Sequence, residues 1–380
     1  MISERPTVPA SRFAERLERA VAATKEGDLE AMLIGVGSDM RYLTGYAAMP
    51  LERLTLLVLG QGVPPFMVVP RLELAAAEAG IRTDLEIRTW DETDDPYGLA
   101  VSGITTTGRL AVSDTMLAMH LLRIQAALGD GPTYLLASTL LRDLRMIKDD
   151  DEISLLRAAA YAADRVVAAI AGGTLVGRTE SDVAREVRER LIDEGHEAAV
   201  FAIVASGPNS ASPHHEASER VIQPGEPIVL DIGGTLGGYG SDITRTLWVT
   251  GGDDTRRPDS PFTDLFGALY EAQAAGTRAV RPGVACEAVD AAARDVIDEA
   301  GHGPAFFHRT GHGIGLEGHE DPYIVAGNAL PLRSGMAFSI EPGIYYPGRY
   351  GARIEDIVVC GEDGPMVLNE APRELAIVEG

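Results

Sequence analysis

Cysteine and lysine are almost missing from this 380-residue chain. Cys286 and Cys360 are the two thiols, too few for a disulfide framework or a thiolate metal cluster. Such usage fits a reducing compartment, and a cytoplasmic location is the expectation. Lys25 and Lys148 are the two lysines, so the sequence beyond residue 148 has none for Schiff-base, Walker-loop or serine–lysine chemistry. There is no run of about 18 apolar residues to span a bilayer. The opening "MISERPTVPASRFAERLERA" lacks the apolar core of a secretory signal. Positive charge is outweighed: a net charge of −24 argues against nucleic acid or an anionic membrane surface as partner. No GxSxG elbow occurs and neither cysteine sits in a motif, so hydrolysis through a side-chain nucleophile is a poor competitor.

The length permits two domains. Residues 1–147 read as an α/β unit. A helix with Phe13, Leu17, Ala20 and Val21 at helical spacing opens it, and short apolar runs at 31–36, 54–60 and 65–70 read as buried strands. Helical segments alternate with them around 71–80 and 115–127. Charge clusters near 147–150, where the apolar pattern restarts, so the second domain is placed at 148–380. The stretch 143–172, polar at its start and then a long amphipathic run, spans that boundary. Two 20-residue segments in the second domain align without gaps: "GRTESDVAREVRERLIDEGH" (177–196) and "GVACEAVDAAARDVIDEAGH" (283–302). They pair Gly177 with Gly283, Val183 with Val289 and His196 with His302, 106 residues apart. The same offset carries Asp231 and Asp242 close to two later acidic segments. A duplicated, pseudo-twofold α+β domain, each half supplying two carboxylates to one central site, is the expectation.

The chemistry gathers in "DIGGTLGGYGSDITRT" (231–246), "RTGHGIGLEGHE" (309–320), "SIEPGIY" (339–345) and "GARIED" (351–356), which present Asp231, Asp242, His312, Glu341 and Glu355. Hard divalent cations favour such oxygen-rich sets, and one imidazole admits Mn, Fe, Co or Zn. Five ligands exceed what one tetrahedral ion needs, so two metals about 3.5–4 Å apart with bridging carboxylates are expected. Asp231 and Asp242 are read as the inward carboxylates of a hairpin turned at the glycines 233–238; the competing reading is an ordinary turn with solvated aspartates. The spacing is not HExxH, and the glycines around His312 forbid a regular helix, which excludes a thermolysin-type site. Seven of the eight histidines fall between 196 and 319. His214 and His215 lie in a polar loop that serves either as a proton shuttle or as a surface turn. Glu355 sits among β-branched residues and must be paired or metal-bound. Arg353, two residues earlier, either holds a ligand carboxylate in place or makes a plain salt bridge.

At these residues the chain resembles the pita-bread metallopeptidases, in particular their Xaa-Pro branch of prolidases and aminopeptidases P. The likeness covers nearly the whole chain, including "SDMRYLTGY" (38–46) and "RMIKDDDEISLLRAA" (145–159). It implies Asp231, Asp242, His312, Glu341 and Glu355 as ligands of two divalent ions, manganese first, with cobalt or zinc as alternatives. It implies catalytic roles for His214, His319, Glu341 and Arg353. His215 stands where family members often carry an aromatic residue or glycine. The implied reaction is hydrolysis of the Xaa-Pro bond of a dipeptide by a hydroxide bridging the metals, in a homodimer. An arginine would hold the substrate carboxylate, with Arg309, Arg333 and Arg349 as candidates. The nearest rival is an aminopeptidase P acting on longer peptides. A creatinase-like amidinohydrolase lacks the ligands, methionine aminopeptidase has no comparable N-terminal domain, and non-catalytic binding modules lose ligands and carry long appended regions. The segment "MRYLTGYAAMPLERL" (40–54) either walls a cleft or packs within its own domain.

Overall fold

The computed structural model describes residues 6–104 and 107–379. It divides into two compact units, Val8–Arg145 and Met146–Gly380, the latter including residues 6 and 7.

In the first unit, β1 (Ala31–Gly35), β2 (Leu56–Gly60), β3 (Phe66–Pro70), β4 (Glu86–Trp90), β5 (Arg109–Val112) and β6 (Thr133–Leu136) form one mixed sheet. Its order is β4-β3-β2-β1-β5-β6, so the uninterrupted apolar strands β1, β2 and β3 lie inside. They are buried on both faces, as continuous apolar runs require. Charge moves to the rim, where Arg88 pairs with Glu86 on edge strand β4. In the segment 40–54, Met40, Tyr42, Leu43, Tyr46 and Leu54 are all buried, and Tyr42 donates to Leu144 O at 2.8 Å. Packing within its own unit therefore accounts for most of that segment's apolar character; Met49 alone among its large apolar residues is strongly exposed.

The second unit begins where Asp149 and Glu152 form a reciprocal capping box, starting the helix Asp150–Ala171. The chain then builds the same plan twice. The helix Glu180–Asp193 leads to β7 (Ala198–Ser206), β8 (Glu226–Leu236), β9 (Tyr239–Gly240) and β10 (Ile243–Val249). After the helix Ser260–Ala279, the helix Cys286–Glu299 leads to β11 (Gly311–Gly313), β12 (Glu320–Ile324), β13 (Ala337–Ile340), the hairpin β14 (Gly343–Tyr346) and β15 (Tyr350–Arg353), then β16 (Asp356–Cys360), β17 (Pro365–Val367) and β18 (Ala376–Val378). One sheet is ordered β18-β10-β8-β7, the other β12-β11-β13-β16-β17.

The repeat seen in the sequence survives at backbone level. Gly177 and Gly283 both adopt left-handed φ, 82° and 87°, and Gly195 and Gly301 do so after their helices, at 107° and 83°. Only glycine does this without strain. Val183 and Val289 each anchor a separate core cluster. An isolated bridge between Thr244 and Glu355 joins the two halves, and the site lies beside it. Among the described residues no helix is long and apolar enough to cross a membrane.

Candidate active site

Strand periodicity places the first carboxylate. Leu230 and Ile232 enter the core, so Asp231 must point from the opposite face of β8. It lies between Ile203 of β7 and Thr244 of β10 in register. Asp242 stands just before β10, after a turn at Gly237 and Gly238, whose φ values are 61° and 87°. The turn is tighter than the expected 233–238. Gly233 and Gly234 belong to the strand, where a Cβ would collide with Ser241 O at 2.4 Å or Ala198 O at 2.5 Å. Close packing of strands, rather than turning, requires those two glycines.

The other ligand candidates arrive from the second half. Gly311 and Gly313 allow β11 to press against its neighbours: a Cβ at Gly313 would lie 2.3 Å from Asp321 O. His312 N–H donates to Ser339 Oγ at 3.1 Å, and its Nδ1 donates to Gly313 O at 3.1 Å. That bond leaves Nε2 with a free lone pair, 3.3 Å from Glu341 Oε1 and 3.7 Å from Asp242 Oδ2. Glu341 follows β13 and is fixed by its N–H to Thr310 O at 2.7 Å. Glu355 N–H donates to Thr244 O at 3.1 Å, while Thr244 Oγ1 donates to Glu355 Oε2 at 2.7 Å. One ligand atom each from Asp242, His312 and Glu355 lies within 4.8 Å of the others.

Arg353 is the cation at this cluster. Its Nη2 donates to Asp231 Oδ2 at 2.5 Å, its Nε to Thr244 Oγ1 at 3.1 Å and its Nη1 to Tyr345 OH at 2.8 Å. The carboxylate it holds is thus Asp231, on the other sheet, and it reaches Glu355 only through Thr244. One guanidinium cannot neutralise four carboxylates. Burial, with the charges of Asp231 and Glu341, pushes Asp242 well above the usual carboxylate range. Burial, with Asp242 and Glu341, does the same to Glu355. Burial raises Glu341 to about 7. Burial, reinforced by His319, lowers His312 to about 3, so its imidazole is neutral. Asp231 Oδ1 is buried with no hydrogen-bond partner. An orphaned carboxylate oxygen, surplus negative charge and a neutral imidazole fit divalent metal ions, which supply the missing positive charge.

Around this cluster, His319 stacks on His312 with ring centroids 3.8 Å apart, and Arg309 Nη2 donates to its Nδ1 at 3.1 Å. The Arg309 guanidinium also covers the Tyr323 ring at 4.5 Å. His214 is solvent-exposed and close enough to disfavour protonation of both His308 and His319. His215 points away and donates to Glu180 Oε2 at 2.7 Å, which separates the adjacent histidines. Of the other arginines, Arg349 bonds Tyr350 OH in the β14–β15 hairpin.

Two residues escaped the sequence reading. Tyr345 OH receives Arg353 and donates to His308 Nε2 at 3.0 Å, while His308 Nδ1 donates to Arg309 O at 2.7 Å. Burial holds His308 at about 4 and raises Tyr345 to about 12, so both remain neutral in this chain of bonds. Tyr345 reads as part of an apolar strand; for His308 the clustering of histidines was the available signal.

Known proteins show the same arrangement of domains. The profile of metallopeptidase family M24 matches residues 154–362, and that of the creatinase/prolidase N-terminal domain matches 16–147. The chain is similar to a probable dipeptidase PepE of Mycobacterium tuberculosis, 50% identical over 97% of each chain. It is 34% identical to an Xaa-Pro dipeptidase of Lactobacillus helveticus, over 89% of this chain and 92% of that one. The crystal structure of dipeptidase PepE from Mycobacterium ulcerans superposes with a TM-score of 0.89 at 48% identity, covering 98% of this chain and 99% of the other. A pita-bread domain of this fold, with its cluster of carboxylates and one imidazole, follows a creatinase/prolidase N-terminal domain, and the chain belongs to metallopeptidase family M24.

Proposed function

We propose that this peptidase is an Xaa-Pro dipeptidase, cleaving the bond before proline with two divalent ions held by Asp231, Asp242, His312, Glu341 and Glu355. The observation that carries this reading is the buried, partnerless Asp231 Oδ1 beside three further carboxylates and a neutral imidazole. Manganese is the expected metal, with cobalt or zinc able to replace it. When bound, such ions polarise the scissile carbonyl and bring the pKa of water down to about 7. The division of labour follows a domain boundary at 147/148, and a cytoplasmic homodimer is the assembly we propose.

The side chains have distinct tasks on this reading. Glu341, bonded to Ser339 Oγ at 3.1 Å, accepts the proton of the attacking water. Because His319 Nδ1 accepts from Arg309, the neutral ring carries its proton on Nε2. That proton serves the oxyanion or the departing proline nitrogen, with His214 sharing the work. Arg353 keeps Asp231 oriented. Arg309 has a second use. Its planar, partly exposed guanidinium, braced on Tyr323, suits the free carboxylate of a dipeptide.

The deciding experiment is hydrolysis of an Xaa-Pro dipeptide against an Xaa-Pro-Yaa tripeptide, after chelation and re-addition of Mn, Co or Zn. Dipeptide activity restored by metal, with a desalted content near two ions per chain, is the expected outcome. Preference for the tripeptide would favour an aminopeptidase, and full activity with one ion would end the two-metal reading. Arg309→Met is expected to raise KM about 10–100-fold for the dipeptide but not for the tripeptide, while kcat falls on both because His319 loses its partner. An equal rise in KM on both substrates, or none on either, would remove Arg309 from the carboxylate subsite. Sedimentation showing a fully active monomer would exclude the dimer.

A further inference from the structure

Glu180 opens the helix Glu180–Asp193, well outside the carboxylate cluster, and its side chain is completely enclosed. Six donor groups converge on it. Oε1 accepts from Ser206 N at 2.8 Å, Ser206 Oγ at 2.7 Å and Asn209 Nδ2 at 3.0 Å. Oε2 accepts from His215 Nε2 at 2.7 Å, Ser218 N at 3.1 Å and Ser218 Oγ at 2.7 Å. Although burial works against its charge, the hydrogen bonds from Ser206, Ser218 and His215 hold the carboxyl down to about 2.

Every one of these donors belongs to a single segment, 206–218, which carries His214. The other side of that segment is tied to the carboxylate cluster: Arg353 Nη2 donates to Pro213 O at 3.2 Å, and Gly351 N to Ser210 Oγ at 2.8 Å. His214 therefore rides on a strap pinned at one side by Glu180 and at the other by the strand that holds Arg353. The internal repeat supplies a control. The residue equivalent to Glu180 in the second half is Cys286, also first in its helix and buried in the apolar core. The second half places no carboxylate at that position, its first-turn acid being Glu287 one residue later. The matching segment of the second half, 312–324, carries His319, and there Arg309 rather than a carboxylate holds the imidazole.

From this geometry we infer that Glu180 is a positioning residue for catalysis: its buried carboxylate orders the strap 206–218 through His215, Ser206 and Ser218, and so aims the His214 imidazole. His215 is then a structural connector rather than an acid or base. This rests on His214 acting in the reaction, and the test separates the two ideas.

The experiment compares kcat, KM and metal content of Glu180→Gln, His214→Ala and the double variant, on an Xaa-Pro dipeptide with metal restored. An amide at 180 turns two N–H groups toward donors that need acceptors. Glu180→Gln is expected to lower kcat about 10–100-fold at nearly constant KM and unchanged metal content, the usual cost of removing an orienting partner. In the His214→Ala background the same change should cost less than about 3-fold, because the group it aims is gone. Multiplying losses in the double variant would overturn the positioning role while leaving His214 catalytic. A silent His214→Ala would overturn the reading of His214 itself, and the inference with it. Should Glu180→Gln fail to fold, His215 decides: His215→Gln, which keeps an N–H donor, is expected to retain kcat, whereas His215→Leu loses about 10-fold. Equal loss in both would show that His215 acts through its imidazole, contrary to the inference.

Discussion

Asp242→Asn is expected to abolish hydrolysis and yet make the metal-free protein harder to unfold. The loss of kcat/KM should be on the order of 10⁴-fold, because the same ligands support both the nucleophile and the electrophile. The gain in stability follows from the sign of the pKa shifts. Asp242, Glu355 and Glu341 are all raised in the folded state, Glu341 to about 7, chiefly because burial penalises their charge. A carboxyl whose folded pKa is raised contributes stability below its unfolded value of about 4, and that contribution disappears as pH climbs through the folded value. At pH 8, above the Glu341 value of about 7, the chelated wild type therefore carries negative charge that Arg353, helped by Arg309, offsets only in part. His312 does not oppose this trend there, because its imidazole is neutral above about pH 7 whether folded or unfolded. Asparagine cannot ionise, so it removes the penalty of charging that position, and its amide can donate to the Glu355 carboxylate that Asp242 already approaches. Chelated Asp242→Asn should melt above chelated wild type at pH 8, by about 2–4 °C for each kcal/mol of relieved repulsion. The gap should shrink as pH falls through the raised values, that of Glu341 being about 7. With metal present the order should reverse, since wild type gains binding energy that the variant lacks. Calorimetry across that pH range, with and without chelator, reads all of this. A variant no more stable than wild type in chelator would mean that the cluster is not electrostatically strained.

The five ligand candidates were legible because each sits in a short motif whose neighbours are constrained for visible reasons. Glycines flank His312 where backbones must meet, proline follows Glu341, and an apolar run carries Asp231 into the interior. The repeat was legible through glycines whose left-handed backbone no other residue adopts cheaply. Its helices, Glu180–Asp193 and Cys286–Glu299, keep the offset found in the sequence. What the sequence hid were partnerships across distance. Arg353 was aligned with Glu355 by strand periodicity, but the chain leaves the strand between them, and the guanidinium finds Asp231 instead, 122 positions away. Tyr345 disappears in "GIYY", where an aromatic residue in a strand needs no explanation beyond packing. Glu180 reads as an ordinary acidic residue in the first turn of a helix, stabilised there by the helix dipole. Its six donors are spread over the end of β7, a short 3-10 turn and the loop beyond it, so no periodicity announces them. The bond between Glu180 and His215 also explains why two adjacent histidines could not be told apart beforehand.

His319→Ala should leave metal content intact and reduce kcat by about 10²–10⁴-fold, the range for a positioned proton donor. The geometry separates this residue from the ligands. His319 stacks on His312 and points Nδ1 at Arg309, whereas His312 directs Nε2 at Glu341 and Asp242. Its pKa is lowered by partial burial and by the Arg309 charge, so at neutral pH the ring is uncharged, with Nε2 protonated. Such a ring is a donor to oxyanion or amine, and a poor competitor for a metal. KM should change little, because the group acts on charge that develops only in the transition state. His319→Gln tests the same point more finely. Its amide can still donate a hydrogen bond but cannot transfer a proton, so it should recover part of the loss if oxyanion stabilisation dominates. It should recover none if protonation of the proline nitrogen dominates. Elemental analysis beside steady-state kinetics distinguishes these outcomes from loss of the metal site. A His319→Ala protein that binds fewer ions than wild type would move His319 into the ligand set and leave the proton to His214.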